Sequence, residues 1–323
     1  MATIHGKKIK LFSLSANPEL AQEIAECMGT GLSDCTITRF ADGEISVNIR
    51  ETVRGHDVFV IQPTSAPAND HYMELLIFVD ALKRASARTI NVVMPYYGYS
   101  RQDRKALARQ PISAKLMADL LQAAGITRVV CMDLHAAQIQ GFFDVPIDNF
   151  EALPIMVQYL KKKKLQDLVI VAPDHGGASR ARKFANCFNA PLAIIDKRRP
   201  SPNVVEVMNI IGDVEGKNAV IVDDIIDTAG TLTEAARALV KAGAKEVYAV
   251  ATHPVLSGPA IERIQKSPIK ELITTNSIRL PEEKRIAKIK QLSIAKQISQ
   301  GLINIIDDKS VSALFQYKPE QNF

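Results

Sequence analysis

Short apolar runs rich in Val and Ile recur along the chain, and most have apolar residues at successive positions rather than at alternate ones. That pattern is typical of parallel strands that are covered by helices on both faces. We predict strands at Val58–Gln62, Ile90–Tyr97, Arg128–His135, Leu168–Asp174, Leu192–Lys197, Ala219–Asp224 and Glu246–Pro254.

Helical patterns with recognisable starts lie between the predicted strands. Asn17 supplies an N-cap, Pro18 a first-turn proline and Gly29 a stop for one of them. Other helices are predicted to begin near Asn69 or Asp70, at Ser113, at Leu153 (ending at Lys164) and at Thr231 (ended by Gly243). Alternating strands and helices predict an α/β fold with mainly parallel sheets flanked by helices.

Two halves of the chain repeat a pattern. Gly55–Gln62 is similar to Gly216–Asp223, and Ala81–Val93 is similar to Ala238–Val250. Shared strand–helix–strand patterning alone explains part of this match. We interpret the rest as a duplication that gives two similar α/β domains.

Length supports two domains, because 323 residues exceed the usual size of a single core. We place the boundary in the Val145–Phe150 region. The predicted domains are therefore residues 1–148 and residues 149–323, with the last helix of the second packing back on the first.

Composition excludes several classes of protein. No apolar run is long enough to span a bilayer, and the first residues lack the pattern of a signal peptide. The scattered cysteines argue against a zinc site and suit the reducing cytoplasm; they are Cys27, Cys35, Cys131 and Cys187. The net charge of +5 is a mild excess, and its densest run, Lys161–Lys164, ends a predicted helix. We expect neither nucleic acid nor membrane as a partner.

The stretch VIVDDIIDTAGTL, Val220–Leu232, carries the strongest chemical signal. Ligands of open α/β sheets bind beyond the carboxyl ends of strands, where Asp223 and Asp224 are predicted to lie. An adjacent carboxylate pair suits a sugar diol, and the Thr228–Thr231 loop opens a helix whose free amides suit a phosphate. An acidic turn with a threonine N-cap is the plain alternative. The combination favours a sugar phosphate and is similar to the phosphoribosyl-binding loop of the type I phosphoribosyltransferase fold.

Pro95–Ser113 is a second candidate, because it follows a strand and is densely basic, with Arg101, Arg104, Lys105 and Arg109. On charge alone a solvated loop explains it. Beside the first stretch, a mobile loop that closes over a polyphosphate is the better interpretation.

Three weaker signals remain. Arg39–Glu44 places an aromatic beside two acids, which suits a purine, although a turn at Asp42-Gly43 between two strands explains it equally well. His135 and Asp174 both end apolar strands and have the chemistry to share a metal, although magnesium prefers oxygen ligands. Lys197 and Arg199 lie on the same side if their strand continues, where they suit developing phosphoryl charge. The sequences GxxxxGK[ST], GxGxxG and GxSxG are absent.

These stretches, in this order and over nearly the whole chain, resemble class I ribose-phosphate pyrophosphokinases. The matching segments are RFADGE, YSRQDRK with PISAK, DLHAAQIQGFFDVP, PDHGG, DKRRP, VDDIIDTAGT and ATHPVLSG. The resemblance implies that ATP and ribose 5-phosphate give 5-phosphoribosyl 1-diphosphate and AMP, with Mg²⁺ as cofactor, for nucleotide biosynthesis.

The resemblance also implies roles for residues. Lys197 and Arg199 would support the transition state, and His135 and Asp174 would bind the metal. The ATP-binding residues would be Phe40, Asp42, Gly43, Glu44, Arg101 and Gln102. The ribose 5-phosphate site would contain Arg199, Asp223, Asp224, Asp227, Thr228, Ala229, Gly230 and Thr231.

Members of this family assemble as dimers within hexamers, in which the adenine loop reaches a neighbour's site, and ADP and phosphate regulate many of them. This chain departs from the pattern at Ala229, where many members have glycine. We expect that methyl group to be tolerated only if the backbone keeps an ordinary conformation. The loop Lys105–Pro111 is a residue shorter than in some members, which bears on closure or regulation.

Three alternatives stay open. A catalytically silent synthetase-associated subunit is disfavoured by the presence of Lys197, Arg101 and both metal candidates. A phosphoribosyltransferase that consumes the diphosphate seldom carries a second copy of the fold. A nucleic-acid-binding regulator would need a broad basic face.

Overall fold

The computed structural model describes residues 3–4, 6–198 and 207–315. Its strands are β1 (Thr3–Ile4), β2 (Lys7–Ser13), β3 (Cys35–Arg39), β4 (Ile45–Ile49), β5 (Asp57–Ile61), β6 (Thr89–Met94), β7 (Arg128–Met132), β8 (Ile147–Phe150), β9 (Leu168–Ala172), β10 (Leu192–Arg198), β11 (Val207–Ile211), β12 (Asn218–Ile226), β13 (Glu246–Pro254), β14 (Ile269–Thr275) and β15 (Ile289–Leu292).

Its α-helices are α1 (Pro18–Cys27), α2 (Ala68–Arg84), α3 (Ser113–Ala124), α4 (Leu153–Lys162), α5 (Ala178–Phe188), α6 (Gly230–Lys241), α7 (Ala260–Lys266) and α8 (Ala295–Ile306). Short 3₁₀ turns cover Ala137–Phe142, Glu282–Lys284 and Ser312–Phe315. The Asn17 side chain caps α1 by accepting from the Leu20 amide, as its position predicts.

Two large sheets contain five parallel strands in the same order. The first runs β1-β2-β5-β6-β7-β8, and the second runs β11-β10-β9-β12-β13-β14-β15. All neighbours are parallel except the edge pairs β1–β2 and β10–β11. The series β2-β5-β6-β7-β8 thus corresponds to β9-β12-β13-β14-β15, and the repeated stretches of sequence occupy β5 and β12. The predicted division at residue 148 falls inside β8, which pairs with β7; the domain bounds stay a prediction.

The two sheets enclose a common core. Buried side chains from the facing sides of both sheets, such as Phe59 and Val220, form one cluster with α1, α4, α5 and α8. The opposite face of the first sheet packs on α2 and α3, and that of the second on α6 and α7. Both sheets are therefore buried on both faces, which explains why their strands are apolar at successive positions.

A buried histidine also joins the sheets. His253 in β13 is 2% exposed, and its Nε2 lies 3.0 Å from the carbonyl oxygen of Met132 in β7. A carbonyl can only accept, so Nε2 carries the proton. No helix in the described part of the chain is long and apolar enough to cross a membrane.

Candidate active site

The strand β12 extends to Ile226, two residues beyond the end that we predicted. It pairs with β13 as far as Ile226, so Asp223 and Asp224 lie inside the strand rather than beyond its end. Asp227 follows immediately, and the next residues turn into α6. That helix begins at Gly230, with Ala229 as N-cap residue, whereas we predicted a start at Thr231.

The loop at the start of α6 presents free amides. Within the described residues, the backbone N–H groups of residues 228–232 donate no hydrogen bond. No side chain caps this helix, so its positive end is open. This arrangement binds anions, and a phosphate in particular.

Ala229 does not keep an ordinary backbone conformation. Its φ is 58° and its ψ is 10°, in the left-handed region that disfavours any residue with a Cβ atom. The condition under which we expected the methyl group to be tolerated is therefore not met, and the loop is strained at this position.

The two adjacent acids of β12 have different environments. The side chain of Asp224 is 5% exposed; its Oδ2 lies 2.8 Å from His135 Nδ1, and its Oδ1 lies 3.1 Å from Arg180 Nη1. Asp223 is 29% exposed, and its Oδ1 accepts from the amide of Asp224 at 2.9 Å. Asp224 is thus held on both oxygens by protein groups, whereas Asp223 is the more exposed of the two.

This difference controls ionisation. Burial and the neighbouring charge of Asp224 raise the pKa of Asp223. Burial opposes ionisation of Asp224 as well, but the His135 hydrogen bond and the charge of Arg180 hold the pKa of Asp224 below its usual range. The hydrogen bond to Asp224 in turn raises the pKa of His135.

A cavity of about 450 Å³ brings the metal candidates together. His135 and Asp174 line it, with Asp223, Asp224 and Arg180. Asp174 accepts from the amide of Gly177 through Oδ1 at 2.8 Å. Because Asp224 holds the Nδ1 atom of His135, Nε2 is the ring nitrogen that remains for a ligand.

The chemistry of these donors fits a divalent cation only in part. In the part of the chain that the structure describes, no three His, Cys, Asp or Glu side chains are grouped to hold a metal ion. Mg²⁺ usually takes one or two carboxylates and completes its shell with water and substrate phosphates. Asp174 and Asp223 suit that mode, and the imidazole is the unusual member.

The basic loop after β6 reaches the second sheet. Arg101 Nη1 lies 2.6 Å from Asp227 Oδ2. Gln102 is fixed by its backbone, whose carbonyl accepts from the Ala114 amide at 3.2 Å, and its side chain accepts from the Ser113 hydroxyl. Both residues line a cavity of about 510 Å³, with Tyr96, Asn69 and Ser257.

The hairpin β3–β4 has the turn that we predicted at Asp42-Gly43. Its Arg39 Nη2 lies 3.2 Å from Asp70 Oδ2, and Asp70 lines the cavity of about 510 Å³. Phe40 is 59% exposed, and Gly43 has a φ of 95°. Phe40, Asp42 and Glu44 line none of the described cavities that hold the other site residues. The predicted adenine-binding residues therefore lie on an exposed turn, and their role stays a prediction.

The structure gives the least information on the two catalytic candidates, Lys197 and Arg199. The backbone of Lys197 belongs to β10, opposite Met208 of β11, but its side chain lies outside the description. Arg199 lies outside the described residues altogether. Their predicted roles remain predictions.

Sequence reasoning missed Arg180. Its guanidinium lines the cavity and pairs with Asp224, at 3.1 Å, and more distantly with Asp223, at 3.9 Å. The available signal was its place in the first turn of α5, directly after the PDHGG stretch. That position aims a cation at the carboxyl end of the neighbouring strand.

Carboxylates on a parallel strand, a bare helix start after them, and two similar sheets define the class of phosphoribosyltransferase-like α/β proteins. Comparison with known proteins narrows the class. Residues 9–125 match the N-terminal domain of ribose phosphate pyrophosphokinase, and residues 200–316 match the phosphoribosyl synthetase-associated domain.

Whole-chain relatives agree. The chain is 62% identical over 309 residues to a Bacillus subtilis protein named ribose-phosphate pyrophosphokinase, covering 96% of this chain and 98% of that one. It is 64% identical over 308 residues to the Bacillus caldolyticus protein of the same name, covering 95% and 98%. The crystal structure of phosphoribosylpyrophosphate synthetase from Mycobacterium smegmatis matches with a TM-score of 0.89 at 42% identity, covering 94% of this chain and 100% of that one. The chain belongs to the ribose-phosphate pyrophosphokinase family.

Proposed function

We propose that this chain transfers the β,γ-diphosphoryl group of ATP to O1 of ribose 5-phosphate. A bond forms between O1 and the β-phosphorus, the bond from that phosphorus to the α–β bridging oxygen breaks, and AMP leaves. The O1 proton is released, and the product is 5-phosphoribosyl 1-diphosphate. The observation that carries the proposal is the contact of Arg101, from the first sheet, with Asp227 of the phosphate loop on the second. That contact supports a polyphosphate-binding loop beside a sugar-phosphate site.

The sugar phosphate occupies the start of α6. The free amides of residues 228–232 bind its 5-phosphate, with Asp227 and Thr231 at the edges of the loop. The cavity-facing oxygen of Asp223 accepts from a ribose hydroxyl. Asp224 lines the same cavity and holds His135 and Arg180 in place beside the sugar.

ATP lies between the basic loop and the sugar site. Arg101 and Gln102 bind its phosphates and ribose, and Lys197 and Arg199 stabilise the charge of the diphosphoryl group in transit. Little covalent work falls to the protein in such a transfer, so orientation and positive charge supply most of the rate. The exposed Phe40, with Asp42, Gly43 and Glu44, binds the adenine of ATP in a neighbouring subunit.

His135 and Asp174 are the residues that would hold the cofactor Mg²⁺. A cation held there would neutralise phosphate charge. Mg²⁺ commonly completes its shell with water and substrate phosphates, so two protein ligands are compatible with a metal that would bind together with ATP.

The chain acts as a homo-oligomer, a hexamer in this proposal, and the exposure of Phe40 on the hairpin β3–β4 supports a site shared with a neighbouring subunit. ADP and phosphate are its regulators, and the cytoplasm is its compartment. A catalytically silent regulatory subunit is the competing function. Arg101, His135 and Asp174 line the cavities as an active enzyme requires, which disfavours it.

The deciding experiment follows phosphorus species by NMR while the purified chain is incubated with ATP, Mg²⁺ and ribose 5-phosphate. AMP appearing together with a C1-diphosphorylated ribose supports the proposal. ADP with a ribose bisphosphate would keep the substrates and reject the reaction. No turnover by a folded, assembled sample would favour the silent subunit.

A further inference from the structure

Consecutive carbonyls of the phosphate loop are each held by a donor. The Ile226 carbonyl accepts from the Leu256 amide at 3.0 Å, and the Asp227 carbonyl accepts from the Ser257 amide at 3.0 Å. The Ala229 carbonyl accepts from the Thr233 amide at 3.0 Å. These carbonyls are occupied, whereas the amides of residues 228–232 donate no described hydrogen bond and stay available to an anion.

The carbonyls of Ile226, Asp227 and Ala229 accept from backbone amides, whereas the Thr228 carbonyl accepts from a side chain. Arg263 Nη1 of α7 donates to it at 3.0 Å. The same nitrogen lies 3.2 Å from where a Cβ atom on Gly230 would stand, so the guanidinium covers the glycine. Arg263 therefore contacts the loop at two successive points, on either side of the strained Ala229.

Arg263 has no acidic partner within the described residues. Its neighbour Glu262 pairs instead with Lys266. A guanidinium has five N–H donors in a rigid fork, and the structure shows one of them in use. An uncompensated cation at the rim of an anion-binding loop adds positive potential where the loop already favours a negative charge.

We propose that Arg263 is a positioning and specificity residue for the 5-phosphate of the sugar substrate. It keeps the Thr228 carbonyl turned away from the phosphate, holds the left-handed turn at Ala229, and supplies a positive charge beside the loop. This inference rests on the proposed binding of ribose 5-phosphate at residues 227–231. It adds a recognition residue from α7, a helix that none of the sequence motifs covers.

The test compares Arg263→Met, which keeps length and removes charge and donors, with Arg263→Lys, which keeps charge and loses the planar fork. Arg237→Met is the matched control, an exposed arginine on α6 that lies outside the loop and forms no described salt bridge. We expect KM for ribose 5-phosphate to rise about tenfold in Arg263→Met, as expected for a lost charge-assisted hydrogen bond. The rise should be smaller in Arg263→Lys, and KM for ATP should change less than about twofold.

A double-mutant cycle separates this role from a loss of folding. Gly230→Ala pushes a methyl group toward the guanidinium, so its effect on ribose 5-phosphate binding should shrink in the Arg263→Met background. Calorimetric binding of ribose 5-phosphate supplies the readout. Additive effects, or an Arg263→Met affinity equal to that of Arg237→Met, would overturn the inference while leaving the proposed function intact. Failure of the unmodified chain to bind ribose 5-phosphate would overturn the proposed function itself.

Discussion

Arg101 Nη1 and Asp227 Oδ2 lie 2.6 Å apart, although the two residues belong to loops of different sheets. Asp227 belongs to the phosphate loop, and Arg101 also lines the neighbouring cavity of about 510 Å³. Its arginine is 48% exposed and its aspartate 28% exposed, so solvent screens the pair. Such pairs contribute about 1 kcal/mol or less to stability, and the contact therefore has more to do with substrates than with folding.

Arg101→Met should for that reason separate stability from activity. We expect the free energy of unfolding to change by about 1 kcal/mol at most. The value of kcat/KM for ATP should fall about tenfold to a hundredfold, because a charge-assisted contact to phosphate is lost. Urea denaturation and steady-state kinetics measure the two quantities. Equal losses in stability and in activity would assign Arg101 to the fold instead.

Because Asp223 and Asp224 have different environments, we expect different effects when each is replaced by asparagine. Asp223→Asn should raise KM for ribose 5-phosphate with little change in stability, since its carboxylate faces the cavity. Asp224→Asn should destabilise the chain by about 1–3 kcal/mol and weaken its metal dependence, since Arg180 loses its closest acidic partner and His135 its orienting acceptor. Thermal unfolding and Mg²⁺ titration distinguish the two variants. Matching phenotypes would contradict the division of roles.

Periodicity and local signals were enough for much of the fold. The seven predicted strands are β5, β6, β7, β9, β10, β12 and β13, which carry the most apolar runs. Among the strands that we did not predict, β8 and β15 are short edge strands with a weaker pattern. The strands β2 and β14 have seven residues each and lie inside the sheets, but polar residues interrupt their apolar positions. The helix α5 was not predicted either, although its buried face, with Ala181, Phe184 and Ala185, is apolar.

The site was less predictable than the fold. Motifs identified the residues of the phosphate loop, because a bare helix start needs a recognisable local sequence. The contact between Asp224 and Arg180 and the conformation of Ala229 depend on tertiary packing, which spacing does not encode. Arg263 lies far along the chain from the loop that it contacts, and no local pattern marks it.

The exposure of Phe40 predicts sites shared between subunits. Phe40→Ala and Lys197→Ala should each reduce turnover by orders of magnitude, the second with modest change in ribose 5-phosphate binding. If the hairpin serves a neighbour, mixing the two inactive proteins under conditions of subunit exchange should restore part of the activity. Val240→Ala, at another exposed apolar residue, is the control and should behave like the unmodified chain. No recovery in oligomers shown to be mixed would count against a shared site.

The left-handed conformation of Ala229 predicts that its replacement by glycine changes stability little. Ala229→Gly relieves about 1–2 kcal/mol of backbone strain. It also loses about 0.4–1 kcal/mol through the unfolded state and about 0.8 kcal/mol of methyl burial. We therefore expect the free energy of unfolding to stay within about 1 kcal/mol, by denaturant titration. Ala229→Val should instead lose about 2 kcal/mol or more, since a β-branched side chain fits that conformation poorly. Ala238→Val, in ordinary helix on α6, should lose only about 0.5 kcal/mol, and a similar loss at both positions would argue against strain.

His253 predicts a loss of stability in acid. Burial lowers its pKa from 6.5 to about 4, so the folded chain resists a proton that the unfolded chain accepts. Its contribution is constant above pH 6.5, and stability is lost as the pH falls from 6.5 to about 4. The loss from this residue amounts to about 3 kcal/mol.

His253→Gln keeps a donor for the Met132 carbonyl and removes the titration. We expect the variant to be less stable than the unmodified chain at pH 7.5, where packing and the contact with Ser277 are altered. The difference should shrink between pH 6.5 and pH 4.5, because the unmodified chain alone loses stability from this group. Urea denaturation at several pH values measures it. If the free energies of unfolding of the two proteins change in parallel with pH, a group other than His253 causes the loss of stability in acid.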